Sequence, residues 1–362
     1  MVKQRFLALD VMRGLTLALM ILVNTPGSWE FVYAPLLHAD WHGATPTDFV
    51  FPFFMFIVGS AMYFSVRSLS QLTLAEQSKK ILRRAALMFL IGVLLAAYPF
   101  TDSLDQWRVM GVLQRIALAY AAASFIILYF GFTGRLVIST ILLVGYWALL
   151  NISADPYSLE HNIVRQFDLS VLGASHLWQG KGIPFDPEGI LSTFPSIVNV
   201  IIGFEATRVL LASEDKQKAL SKLFVSALVL IGLAMLWNTA FPINKSLWTS
   251  PFVLLTCGVA ILLLLLLVKL EQSAAANALK PVYHFFEIIG KNPLFIYVLS
   301  GLLATTLYLI PVGGEPAYAA LYGAFRTFTD PYFASLLFAL LMVGILWFVA
   351  WVLHKRNIII SL

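Results

Sequence analysis

Two histidines, two carboxylates and a tryptophan fall within the eleven residues His38–Asp48, HADWHGATPTD. Imidazole beside carboxylate is the pairing that poises a base near neutral pH, the acid orienting the ring or stabilising imidazolium. His38 and Asp48 are the candidates for those two roles. His38 and His42 stand four apart, a spacing that on a helix allows a shared metal. Gly43 and Pro46 argue against a sustained helix there, no HExxH pattern exists, and no metal is expected. The plainer alternatives are an interfacial histidine at a membrane lip and an Asp48 that starts a helix with Thr45 or Thr47 as its cap.

Other ionisable groups interrupt apolar runs, where leaving one in lipid is costly. Asp10 and Arg13 lie three apart and can face the same way on a helix, either as an ion pair locking helix packing or as a basic group that meets a phosphate. Gln114 and Arg115, in RVMGVLQRIALAY, have no carboxylate nearby on their helix. An arginine without a mate suits a bidentate anion contact; a helix–helix hydrogen bond or a pair with Asp10 is the alternative. Ser192, Ser196, Asn199 and Gly203 recur at spacings of four, three and four, one small polar helix face suited to tight packing. Asn238, Asn244 and Lys245 surround the Pro break in WNTAFPINKSLWTSP, and Asn24 closes the first apolar run.

The elements that must position these groups are hydrocarbon. The 362-residue chain is 60% hydrophobic and 12% charged with a mean hydropathy of +0.84, about half the charged fraction of a soluble domain. The surplus has no surface to cover except lipid, which predicts an all-α polytopic transmembrane helical bundle forming a single domain over residues 1–362. Ten spans follow from apolar length: 6–24, 48–66, 81–99, 109–130, 135–151, 189–211, 223–241, 251–268, 287–310 and 333–353. Asp10 and Arg13 break the early apolar run, so the first span reads as a retained helix rather than a signal peptide. Basic residues gather in alternate loops (Arg67, Lys79, Lys80, Arg83, Arg84, Lys216, Lys218 and Lys222 among them) and at the ends, with Lys3, Arg5, Lys355 and Arg356. Most loop acids fall on the other side, which predicts cytoplasmic N- and C-termini and an extracytoplasmic His38–Asp48 segment. Cys257 sits in an apolar run and reads as packing, and the net charge of +5 is a loop bias, with no nucleic-acid signature. Two outer loops are long, 24–47 and 152–188. DFVFPFFMFIVG (48–59) is faintly echoed by EGILSTFPSIVNVIIG (188–203).

RFLALDVMRGLTLALMILVN followed by HADWHGATPTDFVFPFFMFIVGS resembles the heparan-α-glucosaminide N-acetyltransferase family of transmembrane acyltransferases, and RVMGVLQRIALAY, FDPEGILSTFPSIVNVIIG and FPINKSLWTSPFVLLTCG continue the likeness. The resemblance implies that acetyl is taken from cytoplasmic acetyl-CoA and delivered to an amino sugar of the glucosamine type, or a glycan bearing one, on the opposite face. It places the active-site histidine on His38 and its companion asparagine on Asn24, with Asp48 as the neighbouring acid. Asp10, Arg13, Gln114 and Arg115 match polar groups along the coenzyme path, and Lys245 falls in a PINK-type segment. Trp41, His42, Asn238 and Asn244 are the candidate acceptor contacts. His42 departs from the asparagine of the lysosomal enzyme, which puts the acceptor rather than the donor in question. Size and the lack of an extra lumenal domain resemble a bacterial member in the cytoplasmic membrane, surrounded by lipid and open to a homodimeric state. The competing readings are an amino-sugar permease and an O-acetyltransferase of an envelope glycan.

Overall fold

The computed structural model describes residues 6–360; Lys3 and Arg5 lie outside the described residues. The helices are α1 (Leu7–Asn24), α2 (Val50–Leu69), α3 (Leu74–Ala97), α4 (Val112–Tyr129), α5 (Phe132–Leu150), α6 (Ile163–Leu172), α7 (Ile190–Ala212), α8 (Lys216–Trp237), α9 (Ser250–Glu271), α10 (Ala276–Ile289), α11 (Pro293–Leu309), α12 (Ala317–Arg326) and α13 (Pro331–Lys355). Sheet among the described residues is limited to a two-residue hairpin, Pro311–Val312 with Glu315–Pro316. The all-α polytopic expectation stands.

Helix starts fall where side chains satisfy the first free N–H groups. Thr73 and Glu76 form a capping box on α3, Asn162 caps α6, Asp215 caps α8, and Asp330 caps α13 ahead of Pro331. Among the described residues eight helices are long and apolar enough to cross a membrane, and α10 with α11 makes a ninth if the pair, bent by 74°, is one span. The span expected at 81–99 lies on α3, which has the length but carries Lys79, Lys80, Arg83 and Arg84 in its first half. The span expected at 287–310 is where α10 turns into α11.

The chain divides into two compact units, one of residues 1–38, 45–51 and 266–361, the other of 39–44 and 52–265. In the first, α1, α10, α11, α12 and α13 close over Leu17, Ile21, Ile288, Ile296, Tyr318, Phe338 and Leu346. A Cβ at Gly14 of α1 would overlap the Phe286 carbonyl of α10, so these two helices touch backbone to backbone. In the second unit, the two echoed segments meet each other. A Cβ at Gly59 of α2 would overlap the Val200 carbonyl of α7, and one at Gly203 would overlap the Phe56 carbonyl. Ser60 Oγ reaches both the Phe56 and Gly203 carbonyls at 3.1 Å. Small residues thus allow the close approach that lets packing and polar contacts hold helices where lipid supplies no hydrophobic drive. The polar face of α7 continues the joint: the Trp248 indole N–H donates to Asn199 Oδ1 at 3.0 Å, and Asn199 Nδ2 lies 3.3 Å from Thr256 Oγ1 and 3.2 Å from Cys257 Sγ.

Candidate active site

The first unit holds the imidazole–carboxylate pair. His38 Nδ1 lies 2.6 Å from Asp48 Oδ1; the histidine side chain is 44% exposed and the aspartate 1%. A buried carboxylate needs partners, and the local turn supplies them. Thr45 N–H donates to Asp48 Oδ2 at 2.8 Å, with its hydroxyl 3.1 Å from the same oxygen, closing a capping box at the start of Pro46–Phe49. Thr45 Oγ1 also reaches the Leu37 carbonyl at 2.6 Å, and the Thr47 hydroxyl donates to the Pro35 carbonyl at 3.1 Å, so the stretch before His38 is stitched to the turn that carries Asp48. Asp48 therefore uses its two oxygens separately, Oδ2 in the cap and Oδ1 against the imidazole. A carboxylate only accepts, so Nδ1 carries the hydrogen in this contact. Asn24 ends α1 in the same unit with an exposed side chain. Asp10 and Arg13 pair with each other at 2.8 Å, the ion-pair reading of their spacing.

The second unit holds residues 39–44 as a strap tied down at several points. Gly43, at φ +94°, donates its N–H to the Ile243 carbonyl at 2.7 Å and bridges Asn244. Trp41 donates its indole N–H to the Tyr157 carbonyl at 2.6 Å and meets Phe185 edge to face, and Lys181 Nζ reaches the Asp40 carbonyl at 2.6 Å. Asn244 is fully buried: its Oδ1 accepts from Leu247 N–H at 2.8 Å while Nδ2 lies 3.4 Å from His42 Nδ1. Partial burial lowers the His42 pKa, which favours the neutral ring. Asn238 turns inward to accept Ile243 N–H at 2.7 Å. Trp41, Asn238 and Asn244, expected as acceptor contacts, thus each make a hydrogen bond that shapes this region.

Arg115 does have mates, and its hydrogen-bond partners come from the end of the 152–188 loop and the first turn of α7. Its Nη2 donates to the Pro187 carbonyl at 2.9 Å and to Ser192 Oγ, its guanidinium lies 4.6 Å over Trp248, and Glu188, Asp186 and Asp168 surround it electrostatically. Nε and Nη1 have no hydrogen-bond partner among the described residues. Gln114 points the other way, donating to the Val109 carbonyl at 3.0 Å against Gly92 of α3. Lys245 contributes its charge beside Glu188.

Sequence reasoning passed over the anchor of this region. Arg108 donates to Asp186 through Nε and Nη2, both at 2.8 Å, and to Glu188 at 2.7 Å. Burial works against the Arg108 charge, yet the Asp186 hydrogen bonds and the two acids raise its pKa. Burial alone would raise Glu188; the charges of Arg108, Lys245 and Arg115 hold it below its usual value. Asp168 is the exception. Burial pushes it up to about 7, reinforced by Asp186 and opposed by the Ile190 N–H and Arg115, and its Oδ2 has no hydrogen-bond partner among the described residues. The signal available in the sequence was the acid pair of GKGIPFDPEG facing a lone Arg108. Among the described residues no three His, Cys, Asp or Glu side chains gather as metal ligands.

Residues 5–237 match the family model described as heparan-alpha-glucosaminide N-acetyltransferase, catalytic. The chain belongs to that family. Heparan-alpha-glucosaminide N-acetyltransferase of Mus musculus is 27% identical over 355 residues, covering 81% of this chain and 53% of the mouse protein. The Homo sapiens protein of the same name is 26% identical over 355 residues, covering 81% of this chain and 52% of its own. The chain therefore spans about half the length of the curated relatives it matches. The match includes α1, the His38–Asp48 stretch, the Arg108–Glu188 network and α7, so the family expectation raised by the motifs holds.

Proposed function

We propose that this integral membrane protein is an acetyltransferase, one transmembrane domain in a bacterial cytoplasmic membrane with both termini inside. It takes acetyl from cytoplasmic acetyl-CoA and passes it to an amino sugar of the glucosamine type on the outer side. The observation that carries the reading is the 2.6 Å contact of the His38 ring with a buried, capped carboxylate in a chain of this family.

An amino sugar is an ammonium ion near neutral pH and must lose a proton before its nitrogen attacks a thioester. In this reading His38 Nε2 takes that proton while Asp48 stabilises the resulting imidazolium. The C–N bond forms, the C–S bond breaks, and the imidazolium proton is available to the departing thiolate. Asn24 is the proposed donor to the tetrahedral oxyanion, a contact typically worth about 3 kcal/mol when preorganised. His38 as a transient acetyl carrier is the variant of the same reading. For the coenzyme, Arg115 is the strongest of the expected contacts, because two of its donors are unpaired in a buried setting. Arg13, Asp10, Gln114 and Lys245 already have local partners or charges opposite them.

The test is coenzyme release from acetyl-CoA by purified protein with glucosamine, comparing wild type with His38→Ala. Glucosamine-dependent release that disappears in the variant supports the reading. Release that survives moves the base elsewhere, and no release with no acetyl-CoA binding overturns the acyltransferase in favour of the permease. Hydroxylamine treatment of the product, which cleaves esters and spares amides, separates N- from O-acetylation.

A further inference from the structure

One outward face of α3 changes character along its length. Lys79, Lys80, Arg83 and Arg84 are all exposed, and over roughly the next three turns Leu87, Leu90 and Leu94 are exposed as well. At 100° per residue these seven positions fall on one side of the helix. Among the described residues no carboxylate lies within ion-pair distance of the four cations; Glu76, one turn back from Lys80, is held in the Thr73 capping box. Three other basic residues of this unit are differently placed: Arg135 and Arg208 share Glu205, and Lys216 Nζ bonds the Leu210 and Ser213 carbonyls. Arg84 lies 5.0 Å over the Tyr120 ring, which fixes the inner edge of the basic segment.

The geometry points to an anionic phospholipid site on this face of α3, with the Lys79–Arg84 cations on lipid phosphates and the leucines against acyl chains. Length decides between a lipid and a soluble anion. Lys79 to Arg84 rises about 7.5 Å along the helix, close to the ~5–8 Å thickness of one headgroup layer. The apolar face begins within a turn of Arg84, as it must if the cations mark the phosphate level and their stems lie along hydrocarbon. A soluble phosphate compound has no use for the adjoining leucines. The same charges explain why α3 fails a simple apolar-span criterion while having the length of a span.

The experiment is native mass spectrometry of the full chain in detergent micelles doped with phosphatidylglycerol or phosphatidylcholine. Wild type is compared with Lys79→Gln/Lys80→Gln/Arg83→Gln and with a charge-matched variant, Arg67→Gln/Lys218→Gln/Lys222→Gln, whose residues are likewise exposed. Each cation near a lipid surface contributes about fivefold in binding, so the α3 variant, with three removed, loses phosphatidylglycerol affinity by about a hundredfold. Phosphatidylcholine binding stays unchanged and the charge-matched variant keeps most of its affinity. Equal losses in both variants reduce the effect to net charge and overturn the site. Displacement of the lipid by millimolar inorganic phosphate overturns it in favour of a free-anion site. Melting curves in neutral detergent confirm that both variants fold.

Discussion

Asp48→Asn separates an orienting acid from a structural cap, because the structure dictates how the substituted amide must sit. Thr45 N–H needs an acceptor where Oδ2 now stands, 2.8 Å away. The carbonyl of the new amide therefore takes that place and its NH2 faces His38 Nδ1, which in the wild type lies 2.6 Å from a carboxylate oxygen. Nδ1 must then accept, the ring proton moves to Nε2, and the lone pair that takes a proton from the acceptor is gone. The helix start survives while the base does not. A neutral hydrogen bond replaces the charge-assisted one, and loss of a working general base costs about 10²–10⁴-fold in rate. The expected result is a fall of about 10²–10⁴ in kcat for glucosamine-dependent thiol release, with acetyl-CoA affinity and the melting temperature close to wild type. Thiol release followed with a disulfide reagent, beside a thermal melt, measures both. An Asp48→Asn protein that melts normally and works within about tenfold of wild type, one step of about 1.4 kcal/mol, refutes the tautomer argument and returns Asp48 to a capping role only.

His42→Ala removes a 3.4 Å contact to Asn244, worth at most about 1 kcal/mol; it is expected to leave far more activity than His38→Ala, and equal losses in the thiol assay would show that both rings handle the proton. Gly59→Ala drives a methyl into the Val200 carbonyl, and overpacking of this kind costs about 1–3 kcal/mol or more, so the variant should melt lower than Gly232→Ala, where a Cβ meets nothing within 4 Å. Asp168, pushed up to about 7, holds more protons folded than unfolded between about pH 4 and 7. Its contribution to stability is present at low pH and lost as pH rises through about 7. Asp168→Asn should flatten that slope in melts from pH 5 to 8, and an unchanged slope assigns it to another group.

The spans were legible because twenty-residue apolar runs leave a chain little choice in lipid. α10 was not, since Pro281 and a half-polar composition hide a helix that turns 74° into α11. α6 was missed for another reason: ten residues inside a polar loop have no length signal, and only burial of Val164 and Asp168 reveals them. For the candidate site, residue types at ten-residue spacing were enough to nominate His38 and Asp48. That Asp48 closes a cap with one oxygen and meets the imidazole with the other depends on two oxygens pointing in different directions, which no spacing encodes. Arg115 shows the limit most clearly. Its helix carries no acid, and its partners Pro187 and Ser192 come from 72 and 77 residues away.

The glycine crossing of α2 and α7 bears on the order in which the protein is made. Ser60 and Gly203, bonded in the finished structure, are 143 residues apart. At about 5–20 residues per second, α2 waits roughly 7–30 s on the ribosome before its partner exists. Its most polar inward group is prepared for the wait, because Ser60 Oγ already has the Phe56 carbonyl of its own helix. A nascent chain halted before α7 should sit in the bilayer with α2 inserted and hydrogen-bonded but unpaired, where a membrane chaperone or protease meets it.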